Sequence, residues 1–341
     1  MLFLVIAGYQ PYRFLLRKDK PRSDFYLLVI VIVVAGSAIQ ALVEYGENAR
    51  YSIPFQPLIV YTVLISASRF LFDSKNVPAN PSASAREVIE HFDRQSATRS
   101  WSRLYAVADG FTYHFHIRRA RVLELLPDRL GRVADLGCGP GVVVGEVLER
   151  GGTFEGFDLS LEMVREATER YGHLRGVSFK QGNVEAIDLP DGSCDQVICM
   201  AVIEYLESPQ RALTEIARIL RPGGIAIITV PKRWHVDRLT VAATAPVRAL
   251  ARALGARGAD NLPRLCLQPD ELDAAAGSAG LVADGGAQYH FTPLPYPLSR
   301  IAPGLCMRLN APFERWCKTR AALPSFFAHG YVGRYLKPRS A

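Results

Sequence analysis

One short stretch restricts the fold more than any other. Arg132–Leu136 is apolar, carries an acid at Asp135, and runs into Gly137-Cys138-Gly139-Pro140-Gly141. An apolar helical stretch, Val142–Leu148, follows. Glycines at such a turn let the backbone take left-handed dihedrals and come close to a ligand at a helix N-terminus. A second strand, Thr153–Phe157, ends at Asp158, seventeen residues after Gly141. A first β-α-β unit places a carboxylate beside a ribose at that spacing.

The pattern continues. Val177–Lys180 reads as a third strand, followed by Gly182-Asn183-Val184-Glu185. The Asn183 amide offers donors and an acceptor to an adenine edge. Cys194–Met200 alternates into a fourth strand. Ala212–Leu220 is amphipathic and closes on Arg221-Pro222-Gly223-Gly224 before a fifth strand, Ile225–Val230. Gln268–Leu272 reads as a helix start, and Gly280–Phe291 holds a final strand. A nicotinamide dehydrogenase would want its third glycine at the position of Val142, whereas the spacing here is G-x-G-x-G.

This series resembles the class I methyltransferases, particularly the branch of quinone and other small-molecule methyltransferases, over roughly residues 132–232. The resemblance implies a Rossmann-like, doubly wound, seven-stranded α/β sheet with S-adenosylmethionine as cofactor. It also implies residue roles. Asp135 meets the methionine amino group, and Gly137, Cys138 and Gly139, with Gly141 closing the turn, line methionine and ribose. Asp158 holds the ribose diol, with Leu159 near the adenine. Asn183 and Val184 flank the adenine, and Met200 lies beside the methionine. After the fourth strand relatives often read Glu-His, where this chain has Glu204-Tyr205. Tyr205 can shape the pocket or donate a hydrogen bond, but a phenol is a poor base at neutral pH. Tyr113, His114 and His116 lie on a segment that often forms the lid in this family, so His114 and His116 join Tyr205 as catalytic candidates. His235 and Tyr289 are further candidates without a supporting pattern, and the stretch 233–264 is expected to help cover the acceptor.

The N-terminal region differs in kind. Phe25–Val43 is nineteen residues without a charge, close to the roughly 20 apolar residues that cross a bilayer. Ile53–Phe72 is a second candidate span, weakened at its start by Pro54 and Pro57. Arg13, Arg17, Lys18, Lys20 and Arg22 precede the first span, which places that side in the cytoplasm. Two spans return the chain to the cytoplasm, where the cofactor is made. Residues 44–60 also resemble the closing part of membrane glycosyltransferases that use lipid-linked sugars, with none of that family's catalytic region.

The expected organisation is a basic segment at 1–24, a membrane helical hairpin at 25–72 and a linker at 73–95. A methyltransferase domain at 96–292 and a basic apolar tail at 293–341 follow. The tail has eight Lys or Arg against one acid, Glu314, and suits an anionic membrane surface better than nucleic acid. None of the six cysteines forms a C-x-x-C pair and no histidine cluster accompanies them in sequence, which argues against structural zinc and a disulfide framework. The expected function is methylation of an O or C atom of a small hydrophobic or lipid-linked acceptor by a multi-pass membrane protein with its catalytic domain in the cytoplasm. The alternatives are a membrane-bound, cofactor-binding scaffold without catalysis, and a protein or nucleic-acid methyltransferase. No Asn-Pro-Pro-Tyr-like motif follows the fourth strand to favour the latter.

Overall fold

A computed structural model describes residues 84–98, 101–105, 112–237, 262, 264–294, 303–318 and 325–339. The expected membrane hairpin at 25–72 lies outside the described residues, among which no helix is long and apolar enough to cross a membrane. Residues 79–319 and 327–341 form one compact unit.

Three helices precede the sheet: α1 (Ala85–Thr98), α2 (Trp101–Leu104) and α3 (Tyr113–Leu125). Then come β1 (Arg132–Leu136), α4 (Val144–Glu149), β2 (Thr153–Asp158), α5 (Leu161–Tyr171), β3 (Val177–Gln181) and β4 (Cys194–Cys199). A 3-10 turn (Ile203–Tyr205) leads to α6 (Pro209–Ile219) and β5 (Leu220–Pro231). The unit closes with α7 (Pro269–Ser278), β6 (Val282–Phe291), α8 (Pro303–Lys318) and β7 (Ala328–Leu336).

The strands form one sheet in the order β3-β2-β1-β4-β5-β7-β6. Strands β1 to β5 pair in parallel, and β7 runs antiparallel between β5 and β6. The chain winds outward in both directions from β1 and β4, so the crevice between their carboxyl ends is the switch point where such sheets bind ligands.

Strand periodicity divides the core in two. Ala134, Leu136, Val197 and Ile228 face one layer with Leu213, Ile216 and Leu272. Val133, Ile198 and Ile227 face the other with Val122, Val144 and Val332. Both faces are covered, which is why β1 and β4 read as continuous apolar runs. Helix α6 begins at Pro209, whose missing N–H costs nothing in a first turn, and buries Ala212, Leu213, Ile216 and Ala217 on one face. In α5, Ser160 caps the helix by accepting from the Met163 N–H at 3.2 Å.

Two boundaries differ from expectation. The chain beyond 293, expected as a tail apart from the domain, supplies β7, the strand that joins β5 to β6. Its signal is faint in sequence because glycines and tyrosines alternate there: Cβ atoms at Gly330 and Gly333 would strike the Tyr289 and Tyr335 rings at 2.2 and 2.5 Å. Helix α1 falls largely within the stretch assigned to a linker. It docks on the start of α5 through Asp93, whose Oδ1 accepts from the Ser160 hydroxyl at 2.6 Å.

Candidate functional site

The glycine turn is built around its neighbour strand. Gly137 and Cys138 both donate backbone N–H to the Phe157 carbonyl, at 2.6 and 3.0 Å. The Gly139 N–H donates to Asp158 Oδ2 and the Ser160 N–H to Asp158 Oδ1, each at 2.9 Å. The acid closing β2 is thereby fastened to the turn after β1. Gly137, Gly139 and Gly141 have φ of +74°, +50° and +76°, conformations that L side chains rarely adopt. Their roles differ. A Cβ at Gly137 would lie 2.1 Å from Val202 Cγ2, so the loop after β4 presses on the turn there. A Cβ at Gly141 would meet Tyr171, Phe179 and Val144, making it a packing glycine. At Gly139 a Cβ would meet nothing within 4 Å. That position is the open side of the cradle.

Beneath the turn lies Asp135, 1% exposed, with neither carboxylate oxygen hydrogen-bonded. Burial, and then the charge of Asp158, pushes its carboxyl up to about 8. Burial also raises the carboxyl of Asp158, against the lowering effect of the N–H groups of Ser160, Gly139 and Leu159. A buried acid without a partner is expensive, and a cationic group completing it would recover that cost.

The remaining expected residues surround this pair. Gly182 N–H donates to the Asp158 carbonyl at 3.0 Å, and Gln181 Nε2 donates to the Leu159 carbonyl at 3.0 Å. These bonds bring the Asn183-Val184 loop beside Asp158. Asn183 is exposed and its Oδ1 accepts from the Glu185 N–H at 2.9 Å, while Val184 is buried in the core below. Met200 is buried at the end of β4. Cys138 departs from a lining role for its side chain: the thiol turns into the core against Gly156, leaving only its backbone to the turn.

The catalytic candidates separate. Tyr205 stacks edge-on with Phe92 of α1 at 5.4 Å, and burial, with the charge of Glu204, pushes its phenol up to about 12. That excludes it as a base at neutral pH. His114 and His116 lie in the first turns of α3, which packs on β5, β6 and β7 and whose Arg119 Nε donates to the Val142 carbonyl, just past the glycine turn, at 2.7 Å. The His114 ring lies 5.8 Å from His290, which is itself 4.4 Å from His329, and His329 stacks on His235 at 4.4 Å. Sequence alone does not gather these four.

Several site residues carry no sequence signal. Ala201, directly after Met200, holds φ of +60°, fixed by its N–H donating to Thr229 Oγ1 at 2.8 Å. Such strain in a residue with a Cβ collects at functional sites. Phe92 and Asp93 bring α1 over the end of β2 and the turn after β4. Arg118 and Glu204 are buried and face one another's charge between α3 and that turn.

Comparison with known proteins agrees with this geometry. Residues 134–228 match the methyltransferase domain family model. The chain is 30% identical over 160 residues to the malonyl-[acyl-carrier protein] O-methyltransferase of Marinomonas sp., covering 46% of this chain and 56% of that protein. It is 34% identical over 149 residues to the magnesium-protoporphyrin O-methyltransferase of Rhodobacter capsulatus, covering 40% of this chain and 66% of that protein. The chain spans about half the length of the first curated relatives it matches, 48%, 56% and 54%. In fold it is similar to a chain of the complex between the Haloferax volcanii Trm112 methyltransferase activator and a methyltransferase. That match has a TM-score of 0.51 and 20% identity, and covers 74% of this chain and 99% of that one.

The sheet order, the glycine turn and the acid-tipped second strand thus define a Rossmann-like nucleotide-binding unit. This chain carries a class I S-adenosylmethionine-dependent methyltransferase domain, with S-adenosylmethionine as its cofactor.

Proposed function

We propose that this protein transfers the methyl group of S-adenosylmethionine to an oxygen of a small, hydrophobic or lipid-linked acceptor at the cytoplasmic face of a membrane. The observation that carries the reading is Asp135: a fully buried carboxylate with both oxygens unpartnered, under a glycine turn whose Gly139 faces open space. A cofactor bearing a primary ammonium and a ribose fits this arrangement. Asp135 would take the ammonium, the backbone of Gly137–Gly139 would border the methionine and ribose, and Asp158 would accept from the ribose hydroxyls. Leu159 and Val184 would contact the adenine, and Asn183 would present its free amide hydrogens to the ring edge. When bound, the sulfonium supplies an already activated methyl group.

What remains for the protein is placement and exclusion of water. Holding a nucleophile in line contributes several kcal/mol, up to about 7–11 in ideal intramolecular cases. Ala201 and Thr229 fix the loop after β4. Phe92, Tyr205 and Asp93 pin α1 above it. O-methylation also has support from the relatives, two of which are named O-methyltransferases. The membrane location rests on the uncharged run at 25–43 and the basic residues before it.

Calorimetry with S-adenosylhomocysteine tests the cofactor reading. The wild type should bind saturably and Asp158→Ala should lose at least about a hundredfold, since two hydrogen bonds to a charged acceptor contribute about 1.5–3 kcal/mol each. Equal affinity in the variant would remove the assignment. Methyl-labelled S-adenosylmethionine with a membrane extract should give a labelled extractable product. Binding without product would favour the scaffold. A reporter fused after Phe72 should report from the cytoplasm, and an external signal would refute the two-span topology.

A further inference from the structure

Helix α3 carries a buried cation, Arg118, that faces the charge of Glu204 without a direct ion pair among the described residues. Arg118 is only 8% exposed. Its guanidinium carbon lies 5.4 Å from the centre of the Phe115 ring, and it hydrogen-bonds the phenols of Tyr105 and Tyr289, neither of which brings a countercharge. Its Nε has no hydrogen-bond partner. Arg121, almost one turn further on, shows the contrast: it is equally buried but pairs with the buried Glu314 at 2.8 Å. Among the described residues no carboxylate lies within 4 Å of Arg118.

The surroundings share this incompleteness. Trp101 Nε1 and His116 Nε2 are also buried without partners. Both belong to the aromatic cluster around Phe115: Trp101 packs on it at 5.9 Å, and Tyr105 bridges it to His116 at 5.5 and 6.2 Å. A second guanidinium, the exposed Arg264, lies 5.6 Å over the Tyr205 ring. Against these two cations stands one carboxylate, Glu204, whose burial disfavours its charged form. Glu204 and Tyr205 follow Ala201 and Val202, and Val202 is the residue that presses on Gly137. The cations therefore gather at the loop after β4, whose Val202 presses on the glycine turn.

We propose that Arg118 seats a carboxylate of the methyl acceptor, so that the acceptor is a carboxylic acid carried on an apolar body. The inference rests on the methyltransferase reading and deepens it. A guanidinium offers paired donors that match a carboxylate's two oxygens, and charge-assisted bonds of this kind are the strong ones. The Trp101 indole can give only a donor, which suits an oxygen anion and not an amine. Phe115, Tyr105 and Trp101 supply apolar surface for the body of the ligand, and Arg264 at the rim draws anions inward.

The test uses the full-length chain in two titrations. S-adenosylhomocysteine is titrated first. With it saturating, a series of straight-chain monocarboxylates and dicarboxylates is titrated against the matching methyl esters and alkyl phosphates. At least one carboxylate should bind tenfold or more tighter than its ester, about 1.4 kcal/mol. Arg118→Gln should abolish that preference while leaving S-adenosylhomocysteine affinity within about twofold, and Arg118→Lys should restore part of it. Glu204→Gln should strengthen carboxylate binding by removing a competing acid, an effect that a purely structural Arg118 would not produce. Equal binding of acids and esters, a preference for phosphates, or a preference that survives Arg118→Gln would overturn the proposal while sparing the cofactor reading. Failure of the first titration would overturn both.

Discussion

Asp135→Asn gives the sharpest view of how the cradle works. In the unliganded protein the Asp135 carboxyl is pushed up to about 8, chiefly by burial. At neutral pH it is therefore mostly a neutral acid. A ligand's ammonium requires the charged form, so binding must drive the proton off. Affinity is then complete above about pH 8 and falls as pH drops, by at most about 1.4 kcal/mol, or tenfold, for each unit. Between about pH 8 and about pH 6 the loss approaches 2.7 kcal/mol, a hundredfold. Asparagine cannot titrate, so the variant should bind S-adenosylhomocysteine weakly with a nearly flat profile. Calorimetry in two buffers of different ionisation enthalpy measures both the affinity and the released proton. A flat wild-type profile, no proton release, or an unchanged slope in Asp135→Asn would refute the reasoning. Stability follows the same linkage. The folded carboxyl titrates above its ordinary value of 3.8, so stability present below about pH 4 is lost as pH rises through about 8. Without ligand, Asp135→Asn should remove that loss in a thermal melt.

Other outcomes follow from single contacts. Gly139→Ala should cost only the left-handed backbone penalty, about 1–2 kcal/mol, yet lose cofactor affinity because its methyl enters the ligand's space. Gly137→Ala adds a clash with Val202 and should destabilise by about 2–5 kcal/mol; denaturation and calorimetry together separate the two. Tyr205→Phe should leave turnover within about twofold, since a phenol pushed up to about 12 contributes no base near neutral pH. Glu314→Ala removes the buried partner of Arg121, leaving it only the exposed Glu124, and strands the Phe291 N–H, which should lower stability by about 1–3 kcal/mol in urea denaturation.

The nucleotide-binding half was legible because its constraints are local. A glycine turn, an acid ending the next strand and an amphipathic helix closing on a turn are fixed by residues near one another in sequence. The six strands read from residues 132–291 all form, and the Gly139 N–H donates to Asp158, whose charge acts on the buried Asp135. What was hidden depends on contacts between distant segments. Strand β7 is the clearest example, since its tyrosines and glycines make sense only against Tyr289 and its neighbours on β6. The strain at Ala201 comes from Thr229, twenty-eight residues away. Arg118 reads as an ordinary polar helix residue until Tyr105, Tyr289 and Glu204 enclose it. The histidines 114, 235, 290 and 329 look scattered until β5, β6 and β7 bring their ends together.

A crystal structure of the chain with S-adenosylhomocysteine would test the central assignment most directly. Density is expected with the amino group against Asp135, the ribose hydroxyls on Asp158 and the sulfur facing the loop that holds Met200 and Ala201. Ligand bound elsewhere, or Asp135 still without a partner in the occupied site, would contradict it.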